Sequence, residues 1–371
     1  MANILRIIDS IDPKNGGPSY SVRESSKLMN ERGHQVTILT NDSPHSDFVK
    51  NSPIHMVAFD RKQSLSSRIN FTRWIQNNAH KYDLCLIHGV WQWPTIAWLL
   101  AKPAIPFIVM PHGSLDVWDK EIRPTKMLAK KLYWYAIEKH LYDKADACYF
   151  TSTQEQTNSL KNFPLKDNQK TKIIPYGPND SKIYRTQVDI SDSTSIGYLG
   201  RIHPKKGIEL LLESFSNAFH DNPNATLKIA GSGPADYISR LKDLTKKNRI
   251  ESKVKWVGEL SGKDKYNFLC NIGLFVLPSY QENFGIAVAE ALSCGTPCLV
   301  SNHVNIHPQI TKNKAGLVRN RTVDDFTQGL IHWKKSLDAE PNIRLHARTC
   351  YLSEFSLVEY VKHIEEHHLT K

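Results

Sequence analysis

Short, apolar, β-branched runs alternate with stretches of helical period almost from one end of the chain to the other, and this rhythm limits the fold more than any other feature. It marks βα units wound around parallel sheets, whose strands are buried on both faces and therefore read as continuous hydrophobic runs. Strands are predicted near residues 3–9, 35–40, 54–59, 83–88, 106–111, 146–151 and 172–175, with helical periods at Ser19–Arg32, Leu65–His80 and Thr125–Tyr142. A polar stretch, Val188–Thr194, then breaks the pattern and reads as a linker. The alternation restarts with strands near 195–199, 226–230, 254–257, 273–278, 297–301 and 316–318. Two doubly wound α/β domains are expected, residues 1–188 and 189–351. A final amphipathic helix over Leu352–His367 carries Leu357, Tyr360, Val361 and Ile364 on one face, and residues 352–371 are expected to pack back on the first domain.

A length of 371 residues agrees with two cores. The apolar segment Thr95–Met110 is interrupted by Lys102, Pro103 and Pro106, so it falls short of the ~18 unbroken apolar residues of a membrane span. The N-terminus lacks the basic start, apolar run and cleavage site of a secretory leader, and a cytoplasmic location is expected. Six scattered cysteines without a Cys-x-x-Cys pair read as buried free thiols. The net charge of +11 is uneven, about three quarters of it falling on residues 1–185, which should favour an acidic ligand or surface.

Ligands of open parallel sheets sit outside the carboxyl ends of the strands, so the loops there carry the argument. After the first strand, Gly16-Gly17-Pro18 opens a helix; paired glycines let backbone amides approach a ligand, or simply make a tight turn. Gly200-Arg201-Ile202-His203-Pro204-Lys205-Lys206-Gly207 places Arg201 and Lys206 before a helix start, where two cations and free N–H groups suit a diphosphate. Further turns at Gly231-Ser232-Gly233 and Gly258 follow the next two strands. In PSYQENFGIAVAEALSCGTPCLVS, Glu282 falls on a loop beside the amides of Asn283, Phe284, Gly285 and Ile286, with a helix expected to start near Phe284. Glu290 lies two turns into that apolar helix, where an unpaired carboxylate would cost several kcal/mol. The acids serve a sugar and a ribose, or form salt bridges of purely structural use.

Taken together these segments resemble the retaining family 4 glycosyltransferases of GT-B fold, two Rossmann-like domains facing across a cleft. The resemblance rests on the spacing Glu282 to Glu290, on GRIHPKKGIELLLESF with Arg201 and Lys206, on LKIAGSGP, on Gly16-Gly17 and on VMPHGSLD with His112, all in order. It implies a hexosyltransferase that uses a nucleotide sugar as co-substrate and needs no cofactor. Arg201 and Lys206 would hold the donor diphosphate, Glu282 the transferred sugar and Glu290 the ribose. The amides from Phe284 to Ile286 would meet the sugar and distal phosphate, Gly17 the phosphates and His112 the donor sugar. Glu282, His112, Arg201 and Lys206 are the expected catalytic set; Gly16, Gly231, Gly258, Asn283 and Gly285 complete the expected donor site. The chain contains no Asp-x-Asp pair to hold a metal, so fixed cations would neutralise the leaving group.

UDP-glucose is the expected donor, with GDP-mannose the alternative, and the acceptor a glycan or lipid-linked glycan of polysaccharide biosynthesis. A nucleotide-sugar epimerase of the same fold is a further alternative. A nucleic-acid partner would explain the charge but leave Glu282 and Glu290 without a role. Lys120, Arg123, Lys126, Lys130, Lys131, Lys139 and Lys144 recur beside Leu132, Tyr133, Trp134, Tyr135 and Tyr142, a pattern that suits either an anionic membrane surface or a solvated face. His88, Trp91 and Trp93 are candidates for the acceptor side, with core packing the alternative for the two tryptophans.

Overall fold

A computed structural model describes residues 1–60, 64–115, 124–179, 194–336 and 342–369. The chain divides into two units, Met1–Asn179 with Leu357–Lys371, and Asp180–Ser356. The linker expected over 188–194 lies, apart from Thr194, outside the described residues, as do Lys120 and Arg123.

The first unit holds a parallel sheet of β1 (Asn3–Ile8), β2 (Gln35–Thr40), β3 (His55–Ala58), β4 (Leu84–His88), β5 (Phe107–Met110), β6 (Ala147–Phe150) and β7 (Thr171–Ile173). Its order is β3-β2-β1-β4-β5-β6-β7, so β1 pairs with β2 on one side and β4 on the other. Every residue of β4 and β5 is buried, because helices cover both faces of the sheet. Side-chain alternation sorts the strands cleanly between those faces. Leu5, Ile7, Cys85, Ile87, Val109 and Phe150 join a core with Trp98, Trp134 and Tyr142. Ile4, Ile8, Leu84, Leu86, Ile108 and Met110 join another with Val22, Met29, Leu357, Tyr360, Val361 and Ile364.

That second core contains the apolar face read from the end of the sequence, but the helix there is shorter than expected. Leu352 belongs to the preceding helix Ile343–Glu354, and the terminal helix is Leu357–Ile364. Between them Phe355 leaves helical geometry at φ −134° and packs edge-on against Phe284 in the second unit, with ring centroids 5.6 Å apart. Two different cores claim the two halves of the stretch, and a single straight helix cannot fill both.

The second unit repeats the architecture with β8 (Ser195–Leu199), β9 (Thr226–Ala230), β10 (Val254–Gly258), β11 (Leu274–Leu277), β12 (Cys298–Ser301) and β13 (Gly316–Arg319) in the order β10-β9-β8-β11-β12-β13. All six cysteines are buried and unbonded. Each sheet reverses its strand order once, between β1 and β4 and between β8 and β11, which opens a crevice at the carboxyl end of each.

The loops after β8, β9 and β10 are tied to one another by main-chain bonds. Gly200 N–H donates to the Ala230 carbonyl at 3.0 Å, Gly231 N–H to Gly258 at 2.7 Å and Ile202 N–H to Ser232 at 2.7 Å. Gly231 sits so close to its neighbour that a Cβ there would fall 1.8 Å from the Gly200 carbonyl oxygen, at a φ of +145°. No side chain fits without parting the loops. Gly231→Ala should therefore destabilise the protein by about 2–5 kcal/mol through strain and overpacking. Calorimetry should show a transition lowered by roughly 5–15 °C. An unchanged midpoint would mean that the loops separate freely.

Candidate functional site

The strand β11 delivers the chain to the loop that carries Glu282. The helix after it begins at Ile286, two residues later than expected, because Gly285 takes the left-handed conformation at φ 74°, ψ 57° and caps it. A Cβ at Gly285 would also press on the Glu282 Cγ, 3.2 Å away. Glu282 itself is pinned by its main chain: its N–H donates to His303 and its carbonyl accepts from Asn305, both at 3.0 Å. The Asn283 side-chain oxygen accepts from Asn305 Nδ2 at 3.4 Å. Phe284 is buried against Phe355, so its contribution to any ligand is confined to its main chain. The amides of Phe284, Gly285 and Ile286 stand at the positive end of the helix, where the first turn has donors to spare.

Both glutamates have cationic partners. Lys206 Nζ forms a close ion pair with Glu282 Oε2, each side chain being about one-fifth exposed. Lys265, on the helix Gly262–Cys270, pairs with Glu290 Oε1 at 2.5 Å. Glu290 is only 4% exposed, and burial pushes its carboxyl above the usual carboxylate range, opposed by Lys265. Sequence reasoning identified both acids and Lys206 but missed Lys265. A buried acid calls for a cation, yet a lysine in the polar run Gly262-Lys263-Asp264-Lys265 looks like any solvated lysine.

Arg201 and Lys206 share the loop after β8. Arg201 is exposed, and its carbonyl accepts from the Tyr198 hydroxyl at 2.8 Å. The Lys205 carbonyl accepts from Tyr280 N–H at 2.9 Å, which ties this loop to the one carrying Glu282. Behind it the helix Ile208–Phe219 starts at its Gly207 cap. The structure therefore brings Lys206, Glu282 and the Ile286 helix start together, with Arg201 on the same loop as Lys206. Gly231 and Gly258 serve the stitched loops described above.

In the first unit Gly16 caps the helix Gly17–Glu31, and the space where its side chain would be is open. His112 adopts a φ of 50°, rare for a residue with a side chain. Its Nε2 lies 2.9 Å from His88 Nδ1 and its Nδ1 lies 3.0 Å from the Tyr176 hydroxyl. His88 Nε2 accepts from Arg6 Nε at 3.2 Å, so the two imidazoles form a chain with a fully buried guanidinium. Burial, and secondarily the Arg6 charge, drive His112 down to about 3 and His88 well below the ordinary histidine range. Both rings are neutral at physiological pH and act as hydrogen-bond partners.

Trp91 and Trp93 are half-buried. The Trp91 ring packs edge-on against Tyr133, Trp134 and Phe163, while Trp93 Nε1 donates to the Arg68 carbonyl at 3.2 Å. Both residues thus serve the core and reach a surface.

Comparison with known proteins gives this arrangement a family. Residues 16–177 match the family description "Glycosyl transferase 4-like domain" and residues 180–347 match "Glycosyl transferases group 1". Mannosylfructose-phosphate synthase of Agrobacterium fabrum is 25% identical over 346 residues, covering 81% of this chain and 74% of that protein. The D-inositol 3-phosphate glycosyltransferase of Segniliparus rotundus is 23% identical over 313 residues, covering 77% and 69%. Among solved structures, Anabaena HepE in complex with UDP-glucose superposes with a TM-score of 0.78 at 18% identity over 99% of each chain. The two parallel-sheet domains and the paired family matches together place the chain among the GT-B glycosyltransferases of family 4 type.

Proposed function

We propose that this glycosyltransferase moves a hexose, glucose, from UDP-glucose to a glycan or lipid-linked glycan, with retention of anomeric configuration and without a metal ion. The observation that carries the reading is the Lys206–Glu282 ion pair, with Arg201 on the same loop and a helix start beside it. Departure of a nucleoside diphosphate leaves negative charge on the phosphates. Arg201 and Lys206 would neutralise it, with the amides at Ile286 and Gly285 assisting through the helix dipole. Glu282, released from Lys206 as that lysine turns to phosphate, would face the electron-poor anomeric carbon. Glu290, held by Lys265, would accept from ribose hydroxyls, and His112 and Gly17 would take part in donor recognition. HepE, a structural relative, binds UDP-glucose, which favours the uridine donor over GDP-mannose.

Membrane contact is a second part of the proposal. Leu128, Leu132 and Tyr135 are 61%, 65% and 54% exposed at helical spacing, beside the exposed Lys126 and Lys131. A stripe of apolar side chains among lysines suits an anionic lipid surface that holds lipid-linked acceptors. The protein should float with anionic vesicles at low salt, and Leu128→Ser with Leu132→Ser should leave it in the soluble fraction. Flotation that ignores lipid charge would remove this part of the proposal.

For the donor, UDP at ~100 times its dissociation constant should add about 2.7 kcal/mol to stability, seen as a raised unfolding midpoint, whereas GDP should add little. Glu290→Gln should weaken UDP about tenfold, and Glu282→Gln should slow turnover roughly 10²–10³-fold while leaving UDP bound. The sugar first released by slow hydrolysis of UDP-glucose should be the α anomer by proton NMR. A midpoint raised by GDP alone would move the donor to mannose, and β-glucose appearing first would reverse the stereochemistry.

A further inference from the structure

Outside the residues discussed for the donor, the first unit contains a cavity of about 200 Å³. It lies beyond the carboxyl ends of β1, β2 and β4, with Asp9, Asn41 and Trp91 just past those strands, at the point where the strand order reverses. Crevices at such points are where open α/β sheets take ligands. The volume equals several waters at ~30 Å³ each and is below the ~300–1,000 Å³ of sites for larger ligands, so it suits one small ring.

Its lining combines aromatic walls with planar polar groups. Trp91, Trp93 and Tyr133 supply the first. Asp9 and Asn41 supply the second, fixed side by side because Asn41 Nδ2 donates to Asp9 Oδ1 at 2.8 Å. Arg68 lies over the Trp93 ring, 5.2 Å from its centroid, which holds its guanidinium at the same wall. Flat apolar surfaces beside a carboxylate, an amide and a guanidinium match a pyranose, whose C–H faces are apolar and whose rim of hydroxyls both donates and accepts. Among the lining side chains one carboxylate and one guanidinium balance, which favours an uncharged ring over an acidic sugar; Lys130 Nζ stands over the Trp91 ring at 5.6 Å from its centroid but is not part of the lining.

The Trp91 wall is held in an unusual way. Its backbone is left-handed at φ 66°, a conformation that persists only where surroundings impose it. Glu138 imposes it: Oε1 accepts from Trp91 N–H at 2.7 Å and from Thr95 Oγ1 at 2.9 Å. Glu138 ends a π-helical turn, Trp134–Glu138, and is fully buried. Its second oxygen, Oε2, has no hydrogen-bond partner among the described residues, and burial pushes the carboxyl up to about 7. A buried carboxyl with one idle oxygen is costly, and the anchoring of Trp91 gives it a purpose. π-Turns recur at functional sites for the same reason, since they re-aim a side chain that an α-helix would place elsewhere.

We infer that this cavity is a subsite for a single uncharged pyranose of the acceptor, with Trp91, Trp93, Asp9 and Arg68 as its contacts and Glu138 as the positioning residue for Trp91. The inference rests on the reading of the chain as a sugar transferase. Methyl glucoside, methyl galactoside and methyl glucuronide, followed by saturation-transfer NMR and titration, test it on the intact chain. At least one uncharged glycoside should bind with a dissociation constant of order ~1–50 mM. Trp91→Ala, Glu138→Ala and the exposed Arg68→Ala should each weaken it several-fold or more. Glu138→Gln, which keeps the accepting oxygen, should restore binding, as a merely charged structural role would not. A UDP-induced rise in unfolding midpoint, measured on the same variants, reports on folding and on the donor reading separately. If UDP still acts but no uncharged glycoside binds, or one binds Trp91→Ala and Arg68→Ala as well as wild type, the subsite is refuted and the donor reading stands. Binding of the glucuronide alone would also refute it. Glycoside binding that depends on Trp91 while UDP has no effect would uphold the subsite and count against the donor.

Discussion

A carboxylate taken out of water needs a cation or hydrogen bonds in place of its hydration, and in the second unit a lysine meets that need twice within one loop and helix. Glu282 draws Lys206 from the loop after β8, and Glu290 draws Lys265 from a neighbouring helix. Losing either lysine would strand a charge, a far larger penalty than the modest net worth of the pairs themselves. The loops around them are correspondingly fixed by main-chain bonds, from Tyr280 to Lys205, from Glu282 to His303 and Asn305, and from Gly231 to Gly258. Rigid loops carrying exchangeable ion pairs are well suited to an anionic ligand. On the proposed function the diphosphate competes with Glu282 for Lys206, and the carboxylate is freed only when the donor is in place.

The first unit solves a different electrostatic problem. Arg6 is wholly buried, and its hydrogen-bond partners among the described residues are neutral: the Ser25 and Ser26 hydroxyls, the Val22 carbonyl, His88 and, at 3.4 Å, the Tyr360 hydroxyl. Burial, reinforced by the Arg6 charge, holds both histidines below their ordinary range, and burial likewise lowers the hold of Arg6 on its own proton. Tyr360 belongs to the terminal helix, so the network that positions His112 includes residues from both ends of the sequence. Truncation before Leu357 would open one apolar core and remove a partner of Arg6 together.

Much of the fold was legible because parallel sheets bury both faces of each strand. Runs such as Leu84–Ile87 and Phe107–Met110 are apolar throughout, and turn residues follow their strands. The glutamates and the Arg201–Lys206 loop were legible because charge in apolar company has few structural excuses. Other features depend on contacts between distant segments and leave no local mark. Lys265 looks like a solvated lysine until its helix packs beside Glu290, and Glu138 looks like one more polar residue of a basic helix. Trp91 has no glycine or asparagine to announce its left-handed backbone. Phe355 ends a helix because two cores pull on its neighbours, which local periodicity does not record.

Titration calorimetry of UDP, with uridine as the phosphate-free control, on wild type and on Arg201→Ala with Lys206→Ala shows whether these two cations hold the diphosphate. UDP affinity should fall at least tenfold in the double variant, a loss of about 1.4 kcal/mol or more, while the weaker binding of uridine is unchanged. Equal UDP affinity in both proteins would contradict this, because the diphosphate would then be held by something other than the two cations of the loop after β8.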